Sequence, residues 1–282
     1  MVRALKHSRW RHGLFALPAL SFLAVFFFYP FLEVLRFSTW RWSGLKPPEP
    51  VGLKNYAELF SDPLFWQSVK ATFLFAAWVL PSFLVLSILI AFLIEGQGYE
   101  RVVKGALFLP GLVTVGAAST AWYTLLAPEY GALAAFFPIP AWDQEPFWAM
   151  AMVVAFTLWR YLGYGVLVVS AHLKSIPAEL VEAARVDGAS PLEVTRYVVL
   201  PLLRPAVLFL LVVGSVLALQ SYVAVFLLTR GGPYGATRVL GYFVYELGFE
   251  NFRLGYAAAV TVVLLGLTLL VALAQGKLLE ER

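Results

Sequence analysis

Six predominantly apolar stretches, residues 14–35, 71–94, 106–127, 147–171, 205–229 and 254–274, dominate this chain. Each matches the roughly 20 residues that a helix needs to cross the hydrocarbon core of a bilayer. The second, third, fifth and sixth contain no Asp, Glu, Lys or Arg. In lipid every backbone N–H and C=O must find a partner within the protein, so only helices or closed barrels can span. The stretches are long and lack the period-2 alternation of barrel strands, so they are predicted to be helices.

Composition agrees. Of the 282 residues, 61% are hydrophobic and 13% charged. Soluble domains carry about a quarter charged residues, so a water-soluble fold is excluded and the solvent is a lipid bilayer. Residues 14–35 follow Arg3, Lys6, Arg9 and Arg11, as in a secretory signal. Their apolar part is longer than a signal's, and no small-residue cleavage pattern follows Pro30, so a retained first span is expected. The expected fold is all-α and polytopic: one transmembrane domain over 1–282 with six spans.

Lysine and arginine set the orientation. With both termini inside, the inner segments hold twelve: Arg3, Lys6, Arg9, Arg11, Arg101, Lys104, Lys174, Arg185, Arg196, Arg204, Lys277 and Arg282. The outer segments and their edges hold eight, and residues 128–147 none. Both termini are therefore expected in the cytoplasm.

Several chemistries are excluded. There is no cysteine, hence no disulfide, thiolate nucleophile or cysteine-ligated metal. His7, His12 and His172 lack ligand spacing, so no metal site is expected. The net charge of +4 suits cytoplasmic loops and gives no sign of nucleic-acid binding. No Gly-x-x-x-x-Gly-Lys-Ser/Thr phosphate loop is present, and no carboxylate–histidine relay crosses the spans. A chain of this kind that moved a solute uphill would therefore draw its energy from another chain. A secondary transporter, a membrane enzyme and an exporter half are the competing readings, and each lacks its expected signature.

The long inner connection, residues 172–204, is the most informative segment. Pro177 suits the first turn of a helix, and Gly188 suits its left-handed C-terminal cap. Ser190, Pro191 and Glu193 then form a Ser-x-x-Glu capping box that opens a second helix. Ala183 and Ala184 leave one side of the first helix low, beside the charges of Glu182 and Asp187. The residues alone fit either a membrane-surface hairpin or a docking element for another protein.

Glu182-Ala183-Ala184-x-x-Asp187-Gly188-Ala-x-Pro, followed by Leu200-Pro201 and Pro205, resembles the EAA loop of ABC importer permeases. That resemblance implies the type I importer permease fold and a coupling contact formed by Glu182, Ala183, Ala184, Asp187 and Gly188. Leu200, Pro201 and Pro205 would carry the chain back to the membrane. Further segments resemble the carbohydrate branch, the maltose and glycerol-3-phosphate type. They are Gly52-Leu53-x-Asn55-Tyr56 with Phe65-Trp66 and Thr72, Trp159-Arg160, and Thr229-x-Gly231-Gly232-Pro233-x-x-x-Thr237 with Gly255-Tyr256.

The resemblance implies a non-catalytic subunit of a bacterial or archaeal cytoplasmic membrane that moves a sugar or sugar-like solute. Its implied partners are a second homologous permease, a dimer of ABC ATPase subunits and an extracytoplasmic solute-binding protein. It implies no cofactor of this chain's own, because ATP and Mg²⁺ would sit on the ATPase. Relatives often carry Phe-Asp where this chain has Tyr222-Val223, so their solute specificity does not transfer.

Within the membrane, Arg160 lies about 20 Å of helix from Phe147 and about 16 Å from Ala171. An arginine at that depth costs at least about 2.5 kcal/mol, so it should face the protein interior. Its expected partner is a backbone carbonyl, the second permease or the solute. Tyr164, Gln220 and Tyr222 are candidate cavity-lining residues, since a sugar needs polar hydrogen bonds beside aromatic faces. Gly231, Gly232 and Pro233 are expected to end the fifth helix in an external turn. The short apolar run after that turn, residues 239–249, fits a re-entrant or interfacial helix.

Overall fold

The computed structural model describes residues 8–280; Arg3, Lys6, His7 and Arg282 lie outside the described residues. Contacts group the described residues into two compact units, one of residues up to 61 with 246–263 and one of residues 62–245 with those from 264 on.

In the first unit, α1 (Ser8–Leu23) continues through a π-turn into α2 (Tyr29–Ser38). The apolar helix Phe15–Ser38 is long enough to span, and none of its most hydropathic window is buried within this chain. Strands β1 (Trp40–Arg41) and β2 (Glu49–Pro50) form a small antiparallel hairpin ahead of α3 (Lys54–Ser61). The buried Asn55 amide donates to the carbonyls of Ser38 (2.8 Å) and Trp40 (2.9 Å), and the Tyr56 hydroxyl donates to Ser38 Oγ (2.7 Å). This satisfies the carbonyls freed at the end of α2, which explains the Asn-Tyr pair. Helix α14 (Leu254–Glu280) begins against the same hairpin, where a Cβ on Gly255 would strike the Trp40 carbonyl.

The second unit is built on two long spans, α4 (Pro63–Ile94) and α7 (Pro146–Ser175). Asp62 caps α4 by accepting from the Leu64 N–H (2.8 Å), with Pro63 at the first helical position. Small residues on α7 bring its neighbours close. A Cβ on Gly163 would strike the Leu107 carbonyl of α5 (Glu100–Leu112), and one on Gly165 would strike Ser87 and Phe83 of α4.

Two of the expected spans are broken. The third is split into α5 and α6 (Val115–Leu126), bent by 101° at Val113-Thr114, where the backbone turns extended. The fifth is split into α11 (Arg204–Leu219) and α12 (Val223–Leu228) by Gln220, Ser221 and Tyr222. Between α7 and α11 lie α8 (Ala178–Val186), α9 (Pro191–Val194) and α10 (Leu200–Leu202). Helix α13 (Leu240–Tyr245) follows the external turn. It is buried rather than interfacial, with Leu240, Tyr242 and Phe243 in the interior and the Leu240 N–H donating to Thr72 Oγ1 (2.8 Å).

Candidate functional site

The hairpin of residues 172–204 folds as its capping signals predict. Helix α8 ends in a Schellman motif: the Ala189 N–H donates to the Ala184 carbonyl and the Gly188 N–H to that of Arg185, both at 3.0 Å. Gly188 takes φ +86°, a left-handed conformation that glycine adopts without strain. Ser190 and Glu193 form the reciprocal capping box, the Ser190 N–H donating to Glu193 Oε2 (2.7 Å). Hydrogen bonds from the Ser190 hydroxyl and N–H hold the Glu193 carboxyl below the usual carboxylate range. The turn is thus fixed at both ends.

Little of this hairpin is buried. Glu182, Ala183, Asp187 and Gly188 are exposed, and Ala184 is half-buried. Large apolar side chains also face outward: Val186 is 87% exposed, Leu192 76% and Tyr197 67%. Large exposed apolar side chains thus stand close in sequence to a rigid, charged turn.

The hairpin returns to the membrane through a 58° bend between Pro191–Leu202 and α11. Leu200, Pro201 and Pro205 are exposed there, and the fully buried residue is Leu203, packed in a cluster with Ile94, Ala91 and Val169. The sequence did not single out Leu203 because every neighbour is also apolar. Val194 is the second buried anchor.

Inside the membrane, Arg160, Gln220 and Tyr222 converge on one cavity of about 280 Å³, shared with Thr157, Tyr161 and Ser221. Tyr164 is not among the lining residues: it packs against the cluster that holds Leu203. The Arg160 guanidinium donates to the carbonyls of Val113 (2.5 Å) and Pro110 (3.2 Å). It thereby serves the carbonyls that the broken third span releases, and its buried Nε is left without a partner among the described residues. Tyr222 stacks on Tyr245 of α13 at 6.0 Å between ring centroids, and Phe226 approaches Tyr245 at 4.7 Å.

The external turn is closed by its own motif. The Thr229 and Thr237 hydroxyls share a hydrogen bond of 2.7 Å, and the Thr237 hydroxyl donates to the Gly232 carbonyl (2.8 Å). Gly231 sits at φ +76° against the Tyr242 ring, where a side chain would collide. Trp142, which the sequence did not flag, is nearly buried and donates its indole N–H to the Leu126 carbonyl (2.6 Å).

Apolar spans broken around an internal cavity, with a capped hairpin beside them, are the features of a polytopic membrane transport protein. Residues 64–281 match the family model of the binding-protein-dependent transport system inner membrane component, and the chain belongs to that family. It is 33% identical over 298 residues to the sn-glycerol-3-phosphate transport system permease protein UgpA of Escherichia coli O157:H7, covering 99% of this chain and 97% of that one. It is 30% identical over 269 residues to a probable ABC transporter permease protein of Pyrococcus horikoshii, covering 92% of each. A bacterial ABC transporter for import of the acidic polysaccharide alginate shares the fold, with a TM-score of 0.82 at 22% identity over 98% of each chain. A bacterial alginate ABC transporter in complex with an alginate pentasaccharide-bound periplasmic protein gives a TM-score of 0.81 at 21% identity, over 97% of this chain and 94% of that one. The type I importer permease fold is therefore the fold of this chain, and its role is that of a non-enzymatic transport subunit.

Proposed function

We propose that this permease carries a sugar or sugar-like solute inward, received from an external binding protein and driven by a separate ATPase dimer docked on the 172–204 hairpin. A second, homologous permease completes the pathway, and both termini lie in the cytoplasm. The observation that carries this reading is the hairpin itself: capped at its turn, exposed along its apolar side and joined directly to α11. Glu182, Ala183, Ala184, Asp187 and Gly188 form its contact with the ATPase.

Closure of the ATPase dimer moves the hairpin as a lever and shifts the permease between inward- and outward-facing states, driven by the differential affinity of nucleotide for the closed dimer. The solute passes the cavity of Arg160, Gln220 and Tyr222, where hydrogen-bonding groups stand beside a stacked aromatic pair. Identity to glycerol-3-phosphate permeases along nearly the whole chain supports a small polyhydroxylated solute.

The test is uptake by the complete importer in proteoliposomes. Glu182→Lys reverses a charge at the proposed contact, and Gly188→Pro is incompatible with φ +86°. Both are expected to leave the permease in the membrane while solute uptake collapses. Full uptake by both variants, or accumulation by this chain without an ATPase, would refute the assignment. A thermal-shift screen of sugars against the partner binding protein would identify the solute.

A further inference from the structure

The foot of the hairpin carries a charge cluster that the coupling motif does not include. Glu95 follows α4 as its C-terminal cap, Glu100 and Lys104 open α5, and Lys174 lies in the last turn of α7. Lys104 and Lys174 both bond the same oxygen, Glu100 Oε1, at 2.5 and 2.6 Å. Each also lies 3.8 Å from Glu95. The other oxygen of Glu100 accepts the Gly96 N–H (3.2 Å), so one carboxylate ties the α4–α5 turn, its own helix and α7.

Apolar packing already assembles these helices. Gly163 lets α7 approach the α5 backbone closely, and Phe83, Val166 and Val169 close the α4–α7 interface. Isolated, partly exposed ion pairs add little to stability. What this network fixes is a position: Lys174 is the last charged residue before Ser175-Ile176-Pro177 and the start of α8.

The hairpin has two roots, both seated on one apolar cluster, and the leading one alone adds this ionic network to its packing. The returning root is locked by the fully buried Leu203. The leading root packs Leu173 and Ile176 against that same cluster, is exposed at Lys174, Ser175 and Pro177, and adds polar ties from Lys174 to α4 and α5. Without them, a push on α8 would be absorbed by bending the end of α7.

We infer that Glu100, Lys104, Lys174 and Glu95 form an ionic brace that transmits hairpin motion to α4, α5 and α7, making them positioning residues for energy coupling. This rests on the hairpin being the ATPase contact. In the reconstituted importer, Lys174→Gln and Glu100→Gln are expected to retain the bound ATPase and its basal hydrolysis. Solute carried per ATP should fall about threefold, the size expected for loss of one strong, partly exposed pair. Lys174→Arg should keep the ratio.

Because the chain has no cysteine, spin labels can be placed at Arg101 and Glu179 alone. Their distance distribution should be narrow in the parent and broad in Lys174→Gln. An unchanged transport ratio with an unchanged distribution would overturn the brace, as would failure of Lys174→Gln to assemble with the ATPase. If Glu182→Lys uncouples the importer and these variants do not, only the brace fails. If Glu182→Lys transports fully, the hairpin reading fails first.

Discussion

Removing Arg160 tests whether this cation is held for the protein's own backbone or for the solute alone. Its two hydrogen bonds end on the carbonyls of Val113 and Pro110, at the 101° break between α5 and α6. In Arg160→Ala both carbonyls lose their partner at membrane depth. A stranded buried polar group costs about 1–3 kcal/mol; with the Pro110 bond part-buried and the Val113 bond exposed, about 1–3 kcal/mol is expected for the pair. The lower end applies if water from the adjoining 280 Å³ cavity reaches one of them.

Thermal unfolding of the purified permease, followed by tryptophan fluorescence, reads this directly. Trp159 adjoins the site, and its ring lies 5.3 Å from that of Trp122. Arg160→Ala is expected to melt several degrees below the parent. Arg160→Lys should fall between them, because an ammonium supplies a point donor where guanidinium supplies a fork. Melting of Arg160→Ala at the parent temperature, with uptake lost, would refute the backbone-clamp assignment and leave the solute as the partner of this arginine.

Gly163→Ala should destabilise the second unit by about 1–3 kcal/mol, because the new methyl meets the Leu107 and Phe108 backbone rather than a movable side chain. Gly266→Ala, inside α14 with open space around it, should not lower the melting temperature in the same assay and should raise it slightly, since alanine is the better helix former. The capping box gives a pH expectation. Glu193 is held below its ordinary pKa by the Ser190 hydrogen bonds, so its contribution is present above the ordinary carboxylate range and disappears as pH falls through the lowered value. Amide exchange at residues 190–194, corrected for intrinsic rate, should lose protection only under such acid conditions, and Glu193→Gln should weaken that protection at neutral pH.

The hairpin was legible because its signals are local. Proline at a first turn, glycine at a left-handed cap and a Ser-x-x-Glu box each act within a few residues. The spans were legible as apolar lengths, but their breaks were not. Residues 106–127 and 205–229 read as continuous helices because hydropathy reports solvent, and the backbone leaves the helix at Val113-Thr114 and Gln220–Tyr222 with no charged residue to mark the break. Arg160 could be placed in the interior by its cost and a backbone carbonyl named among its three expected partners, yet which carbonyls was hidden, since a carbonyl freed by a kink leaves no mark in composition. Tyr164 was expected beside the cavity, and a helical periodicity of 3.6 explains why it is absent. Four residues beyond Arg160, it shares roughly the same helix face but lies one turn lower, in the cluster around Leu203.

The two breaks belong together. Non-helical backbone at membrane depth is tolerated where it is buried in protein or lines a water-filled cavity. Val115 begins the second half of the third span, and Gln220, Ser221 and Tyr222 interrupt the fifth, and all four line the same cavity. A purely structural kink would be expected to satisfy its carbonyls completely and close over them. Here Arg160 serves one break from α7 while its Nε has no partner among the described residues, and Gln220, Ser221 and Tyr222 of the other break line the cavity. Two independent spans have therefore opened their helices toward one volume, and a polyhydroxylated solute is the kind of molecule that exposed amides, hydroxyls and a stacked tyrosine pair can receive.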